Sequence, residues 1–150
     1  MGLDMYLNKH TYVQHWEHNG DNNYEVTVTK AGKPTNINPK KIKYIIEEAG
    51  YWRKANAIHN WFVENVQKGV DDCGDYYVGT DDLEKLLDAC EKVKADHSLA
   101  DSLLPSASGF FFGGTEYDEW YFNGIDNTIE ILKEALADES DPSYYYSSSW

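Results

Sequence analysis

The chain has 150 residues, 13 of them basic and 26 acidic, which gives a formal net charge of −13. This length suits one domain and excludes two full-sized domains, and an aromatic share of 15% is too high for a disordered chain. The apolar runs are too short for a membrane-spanning helix, and two cysteines are too few for a disulfide framework. The opening residues lack a signal-peptide or myristoylation pattern, so we expect an intracellular protein.

Charge is unevenly distributed along the chain. Residues 1–70 carry nine basic and seven acidic groups, whereas residues 71–150 carry four basic and nineteen acidic groups. Most of the molecule would repel a nucleic-acid strand, because such binding relies on the neutralisation of phosphates. Only the five lysines between Lys30 and Lys43 offer a contact for one. The excess of acid therefore predicts a well-solvated surface, with an acidic mimic of DNA as the alternative.

Strand patterns dominate the first third of the chain. Apolar and polar residues alternate from Leu3 to Leu7, which is the period of a β-strand. Three strands are predicted before the first helix, over residues 3–16, 24–29 and 41–48. The Asn, Gly and Asp residues at 19–22 predict a turn that joins the first two strands as a hairpin. The third segment could also form a helix, and Gly50 separates it from the first of the longer helical segments.

Apolar residues recur at helical spacing in three longer segments. The predicted helices cover residues 53–67, 81–95 and 124–138. Shorter elements are predicted between them: a strand over 76–78, a helical turn over 98–104 and a buried strand over 109–114. The Tyr/Ser-rich tail, residues 139–150, shows no periodicity, so we expect it to be flexible or to dock on a neighbour. Residues 1–138 are predicted to form one α+β domain with a small, mainly antiparallel sheet.

Arg53 is the only arginine in the chain, against twelve lysines. A guanidinium binds phosphate or carboxylate through two parallel hydrogen bonds and stacks on aromatic rings, whereas an ammonium does neither well. On a helix over 53–67, Arg53 would share one face with Asn56, Asn60 and Glu64. This polar stripe could bind the edge of a base or a ribose. A structural salt bridge of Arg53 and a plain solvated face are the alternatives.

Aromatic side chains and a histidine surround this stripe. Tyr51, Trp52 and Trp61 belong either to the core or to a surface on which a base stacks. His59 lies on the apolar side, where a hydrogen-bonded core histidine is expected and a catalytic histidine is the alternative. The histidines and the acidic segment 71–75 match no common zinc or calcium pattern, so no metal or cofactor is predicted.

The segment 115–122 interleaves three carboxylates with aromatic rings. Glu116 and Glu119 could accept hydrogen bonds from ribose hydroxyls, while Tyr117 and Trp120 add aromatic surface. Carboxylate pairs also perform acid–base chemistry, but the chain lacks serine-hydrolase, phosphate-loop and dinucleotide motifs. The candidate ligand-binding residues are Tyr51, Trp52, Arg53, Asn56, His59, Asn60, Glu116, Tyr117, Glu119 and Trp120.

Long motifs in the chain resemble those of a known family. They are YWRKANAIHNWFV at 51–63, DDC at 71–73 and GFFFGGTEYDEWY at 109–121, together with the opening MGLDMYL. These motifs resemble a family of small bacteriophage- and prophage-encoded proteins of uncharacterised activity, over most of the first 136 residues. The resemblance implies a phage accessory protein made in the bacterial cytoplasm. Residues 14–45 and the tail lie outside it.

These features predict a non-enzymatic protein that sequesters a small nucleotide-like host molecule in a counter-defence role. An acidic inhibitor of a host protein is the first alternative, with exposed aromatic rings and the acidic C-terminal half as its contact surface. A nucleotide hydrolase that uses His59 with Glu116 or Glu119 is the second. Formation of a homo-oligomer is compatible with all three, and no membrane partner is expected.

Overall fold

A four-stranded antiparallel sheet lies at the centre of the computed structural model, which describes residues 2–109 and 112–150. The strands of the chain are β1 (Asp4–Tyr12), β2 (Thr29–Lys30), β3 (Lys33–Pro34), β4 (Tyr44–Arg53), β5 (Tyr76–Val78) and β6 (Ser143–Ser149). The sheet has the order β4-β1-β6-β5, and β2 and β3 form a separate hairpin.

Helices cover one face of this sheet. They are α1 (Asn56–Asn65), α2 (Thr80–Ala95), α3 (Ala100–Leu103) and α4 (Glu119–Ala137). The predicted α+β class is confirmed, and so are the helix that corresponds to α2 and the short strand β5. In the described part of the chain, no helix combines the length and the apolar content that a bilayer crossing requires.

The alternation predicted at the start of the chain places its apolar residues in the core. Leu3, Met5 and Leu7 are fully buried in one cluster with apolar residues of α1, α2 and α4. The intervening side chains, among them Tyr6 and His10, are half-buried on the opposite face of the sheet. The described residues place no helix on that face, so the domain has two layers and one open sheet face.

A strand is confirmed in the segment predicted at 41–48, but β4 begins at Tyr44, after a 3-10 helix at Pro39–Lys41, and continues through Gly50 to Arg53. A Cβ atom on Gly50 would lie 2.5 Å from Cγ2 of Ile131 in α4, so a larger residue would push the helix away from the strand. Gly50 therefore marks close helix–strand packing and not the end of the strand. A β-bulge nearby leaves Ala49 without a partner in β1.

The predicted strand over 24–29, and with it the first hairpin, is wrong. Residues 24–28 form no strand, and the turn expected at 19–22 lies in a 3-10 helix, Glu17–Asn22. The reason is topological, because β1 already pairs with β4 on one side and with β6 on the other. No position beside β1 remains for a third partner.

The predicted flexible tail is also wrong, because its residues form the strand β6. β6 lies between β1 and β5 and is antiparallel to both. The ring of Tyr146 stacks on that of Phe62 in α1, with centroids 3.9 Å apart. The domain therefore includes the residues beyond 138. Burial alternates along β6, with Tyr144, Tyr146 and Ser148 buried, but the runs of Tyr and Ser in the sequence do not show this period.

Two predicted boundaries in the second half of the chain change. The strand predicted over 109–114 lies partly outside the described residues, and 112–114 form no strand. The last helix begins at Glu119 and not at 124, because Asp118 caps it by accepting a hydrogen bond from the Tyr121 N–H at 3.1 Å. This earlier start places Trp120 on the first turn of α4.

Candidate functional site

A cavity of about 530 Å³ opens where the end of β4, the start of α1 and the first half of α4 meet. Its volume lies within the range of about 300–1,000 Å³ that is typical of small-molecule sites. The polar and aromatic side chains that line it are Arg53, Lys54, Asn56, Glu116, Asp118, Trp120, Tyr121, Asn123 and Asn127. Four of the ten candidate residues, Arg53, Asn56, Glu116 and Trp120, are therefore brought together here.

The first turn of α1 faces this cavity without a side-chain cap. Ala55 precedes the helix, and its methyl side chain accepts no hydrogen bond from the turn's N–H groups. The first helical hydrogen bond runs from the His59 N–H to the Ala55 carbonyl at 3.0 Å. The N–H groups of residues 56–58 therefore have no acceptor within the helix. Such a helix end carries partial positive charge and attracts anions.

Two cations stand beside this helix end. The Arg53 guanidinium lies 3.2 Å from an Asp4 carboxylate oxygen, and its side chain remains 55% exposed, so it can still reach a ligand. Lys54 adopts a left-handed backbone with a φ of 55°, and its N–H donates to the Leu3 carbonyl at 2.7 Å. This strained turn redirects the chain from β4 into α1.

The predicted helical stripe of Arg53, Asn56 and Asn60 is wrong. Arg53 ends β4, so it lies on a strand and shares no helix face with the two asparagines. Asn60 is half-buried and does not line the cavity. Arg53 reaches the cavity because β4 ends beside it. This placement depends on the tertiary structure, so the spacing of residues along a helix could not predict it.

Asn56 shapes the cavity wall and has no spare hydrogen-bonding group for a ligand. Its amide donates to the carbonyls of Phe112 and Gly114, at 3.1 and 2.8 Å. Its side-chain oxygen accepts from the Ala107 N–H at 3.0 Å. Because Asn56 is buried, these three bonds tie the backbone of Ala107, Phe112 and Gly114 to the start of α1.

The start of α4 forms the opposite wall. The Trp120 ring is 83% exposed, so its faces are free for stacking. Asp118 uses one carboxylate oxygen as a helix cap, and Glu116 is exposed. Tyr121 donates to the Leu104 carbonyl at 2.7 Å, and burial raises the pKa of this phenol above its usual value, so the hydroxyl stays neutral.

The two aromatic residues before α1 lie away from the cavity. Trp52 is buried in the core, where its indole N–H donates to the Thr128 hydroxyl at 2.8 Å. Tyr51 lies on the open sheet face, donates to an Asp4 carboxylate oxygen and packs against Tyr6 with ring centroids 5.4 Å apart. The alternation of strand side chains separates these neighbours to opposite faces.

Two acidic-segment candidates also lie outside the cavity lining. The Tyr117 hydroxyl donates to an Asp101 carboxylate oxygen at 2.7 Å, which ties the 115–118 segment to α3. Glu119 is exposed at the first position of α4 and does not line the cavity.

His59 is a fully bonded core residue. It is 1% exposed, with Nδ1 2.6 Å from the Tyr146 hydroxyl and Nε2 3.0 Å from an Asp71 carboxylate oxygen. Trp150 donates to the other oxygen of Asp71 at 3.1 Å. Burial raises the pKa of Tyr146 well above its usual value, which disfavours a phenolate there. The cluster of His59, Tyr146 and Asp71 resembles a catalytic relay, but it does not line the cavity.

Five polar or aromatic residues of the cavity lining are not among the predicted ones: Lys54, Asp118, Tyr121, Asn123 and Asn127. Lys54 follows the only arginine, and that adjacency is the signal that could have found it. Asn123 and Asn127 lie four residues apart on α4, where they face the same side. Asparagines paired on one helix face therefore line this cavity from the last helix and not from the first.

No group of three or more His, Cys, Asp or Glu side chains suited to a metal occurs within residues 2–109 and 112–150. No protein-family model, no curated protein and no solved structure matches the chain. The resemblance to phage proteins therefore stays a prediction, and the site is interpreted from its own geometry.

Proposed function

We propose that the protein is a non-enzymatic binder that sequesters a small nucleotide-like anion in the cavity at the start of α1. One observation carries the proposal: an uncapped helix N-terminus, the guanidinium of Arg53 and the exposed ring of Trp120 surround a single cavity. Each group matches a different part of a nucleotide. The phage resemblance adds a setting, a bacterial cytoplasm in which removal of a host nucleotide signal serves counter-defence.

Recognition would divide between the two walls. The N–H groups of residues 56–58, together with Arg53 and Lys54, supply donors and positive charge for a phosphate. Trp120 supplies a face for a base, and Glu116 supplies an acceptor for a ribose hydroxyl. Asn127 already donates one N–H to the Tyr51 carbonyl at 3.3 Å, so its oxygen and its second N–H remain for a ligand.

Binding without turnover is favoured by the residues that line the cavity. No histidine, cysteine or serine appears in its lining among the described residues. The histidine that the hydrolase hypothesis requires is bonded to Tyr146 and Asp71 and not to Glu116 or Glu119. A serine or cysteine nucleophile activated by an adjacent base is one usual basis of hydrolysis, and the described lining contains neither residue.

Calorimetric titration with inorganic phosphate and a panel of nucleoside mono- and diphosphates tests the proposal. We expect Arg53→Ala to weaken nucleotide binding about 10- to 100-fold, because a hydrogen bond to a charged group contributes about 1.5–3 kcal/mol. Lys85→Ala, which removes an exposed cation from α2, is the matched control and should leave affinity unchanged. Trp120→Ala should weaken nucleotide binding but not phosphate binding.

Equal affinity of Arg53→Ala and the parent protein for every retained nucleotide would disprove the site. Failure of all probes to bind, with no nucleotide in the mass spectrum of the denatured protein, would disprove the function. Conversion of a bound nucleotide to product would instead establish the hydrolase.

A protein–protein inhibitor is the second candidate, favoured by the exposure of Trp120 on an acidic half of the chain. A stoichiometric protein partner from host lysate, released by salt and lost in Trp120→Ala, would favour it over the nucleotide binder.

A further inference from the structure

β4 is an edge strand whose first half is uncovered. It pairs with β1 on one side, and the described residues place no strand on its other side. Near its end, α4 covers the edge, since the Asn127 amide donates to the Tyr51 carbonyl at 3.3 Å. Residues 44–48, hereafter the open edge, have no such cover. Tyr44, Ile45 and Ile46 are 50%, 41% and 58% exposed, an unusual concentration of apolar surface on a sheet edge.

The backbone of the open edge is oriented to accept another strand. The Val13 N–H donates to the Lys43 carbonyl at 2.8 Å, which directs the backbone groups of Lys43 toward β1. Because these directions alternate in an antiparallel ladder, Tyr44 and Ile46 direct their N–H and C=O groups away from β1. Two residues of the open edge therefore present free ladder positions.

The sequence of the open edge is complementary to itself. In an antiparallel pair with a two-fold axis through Ile45, Tyr44 lies opposite Ile46 of the second copy, and Lys43 lies opposite Glu47 of the second copy. Opposed residues must share a sheet face. This condition holds, since Tyr44 and Ile46 lie on the open face while Lys43 and Glu47 lie on the helix-covered face. The hydrogen-bonding residues Tyr44 and Ile46 meet in the same register.

A second cavity, of about 250 Å³, adds negative charge on the helix-covered face, next to the position where Lys43 of the second copy pairs with Glu47. Its charged lining consists of four carboxylates and one ammonium: Glu47, Glu48, Glu134, Asp138 and Lys9. Lys9 pairs with Asp138 and lies 3.6 Å from Glu47, so most of the negative charge is not neutralised. The register through Ile45 places Lys43 of the second copy beside this cavity.

We propose that a second copy of this chain occupies the open edge and forms a two-fold symmetric dimer through β4. The two four-stranded sheets then join into one continuous eight-stranded sheet with both helical layers on the same side. Apolar pairing at Tyr44, Ile45 and Ile46 supplies the contact surface, and the Lys43–Glu47 pairs fix the register. The surface is distinct from the ligand cavity, so the dimer does not depend on the proposed function.

Analytical ultracentrifugation across a concentration series tests the dimer. We expect a species of twice the 17.2 kDa monomer mass. Lys43→Glu and Glu47→Lys should each weaken dimerisation at least about tenfold, because each opposes like charges twice per dimer. An equimolar mixture of the two variants should recover the dimer, since each then supplies the charge that the other lacks. The double variant in one chain should dimerise like the parent.

The mixing experiment separates the interface from a folding defect. Far-ultraviolet circular dichroism and urea unfolding establish that each variant is folded before it is mixed. A parent protein that stays monomeric up to about 1 mM, the weak end of specific association, overturns the proposal. A dimer that both charge reversals leave unchanged overturns it as well, and so does a mixture of folded variants that remains monomeric.

Discussion

The polar groups in two regions of α1 differ in whether they already have hydrogen-bond partners. In the middle of the helix, His59 is buried and both of its ring nitrogens have hydrogen-bond partners. At its start, the N–H groups of residues 56–58 face a cavity without a side-chain cap in the described structure. His59, which has the side chain of a catalytic residue, has no free ring nitrogen, whereas the backbone N–H groups of residues 56–58 can still donate to a ligand. Unused hydrogen-bonding capacity, and not residue type, is therefore our criterion for the candidate site.

The contrast between the two regions predicts opposite consequences for their mutations. A bonded and buried group contributes to the free energy of unfolding, because its loss leaves partners unsatisfied. A group that lines the cavity contributes to affinity and little to folding. Single substitutions in each region separate these two kinds of effect.

His59→Ala should cause the largest loss of stability, about 2–4 kcal/mol in the free energy of unfolding. It leaves a void in the core and removes the partner of the buried Tyr146 hydroxyl. Urea unfolding measures the loss. Asn60→Ala is the adjacent control and should change stability by less than about 0.5 kcal/mol. A His59→Ala protein as stable as the parent would contradict the assignment of this cluster to the core.

Asn56→Ala should affect both quantities, because it belongs to the cavity wall and is also buried. It loses three hydrogen bonds to the backbone of Ala107, Phe112 and Gly114, so we expect a loss of about 1–3 kcal/mol in stability. Nucleotide affinity should fall as the wall loosens. Hydrogen exchange at the Ala107 amide, which donates to Asn56, should accelerate. An unchanged exchange rate at this amide would show that other contacts hold Ala107 in place.

Lys54→Gly should have the smallest effect on the free energy of unfolding, and it should stabilise the protein where the other two variants destabilise it. Glycine adopts the left-handed backbone without strain, so the free energy of unfolding should rise by up to about 1 kcal/mol, while phosphate affinity falls with the lost charge. Lys68→Gly is a matched control, because Lys68 has a φ of 56° at the other end of α1. It should gain similar stability and keep its affinity. Equal affinities of the two variants would remove Lys54 from the site.

The elements that periodicity specifies strongly could be predicted from the sequence. The buried alternation of Leu3, Met5 and Leu7 and the long amphipathic helix α2 are both confirmed. Residues 24–29 have equally high β-propensity and form no matching strand, because β1 has no free edge for them. β6 lacks the usual apolar pattern of a strand, yet it lies at the centre of the sheet because two other strands pair with it.

The candidate site was predictable in part, and for identifiable reasons. The side-chain chemistry of Arg53, Glu116 and Trp120 indicates a binding role, and the fold brings all three to one cavity. Tyr51 and Trp52 are close to Arg53 in sequence, but a strand directs neighbours to opposite faces. Asparagines spaced along a helix do line the cavity, but the helix that carries the pair is α4 and not α1.

The sequence by itself determined the buried face of the first strand and the apolar stripe of α2. It also singled out Arg53 as the only arginine. These features depend on interactions over a few residues, which periodicity and composition record. Only the tertiary structure decided which strands flank β1, that the C-terminal residues lie between β1 and β5, and which helix end lines a cavity. Those outcomes depend on contacts between residues far apart in the chain, and one short stretch of sequence carries no record of its distant partner.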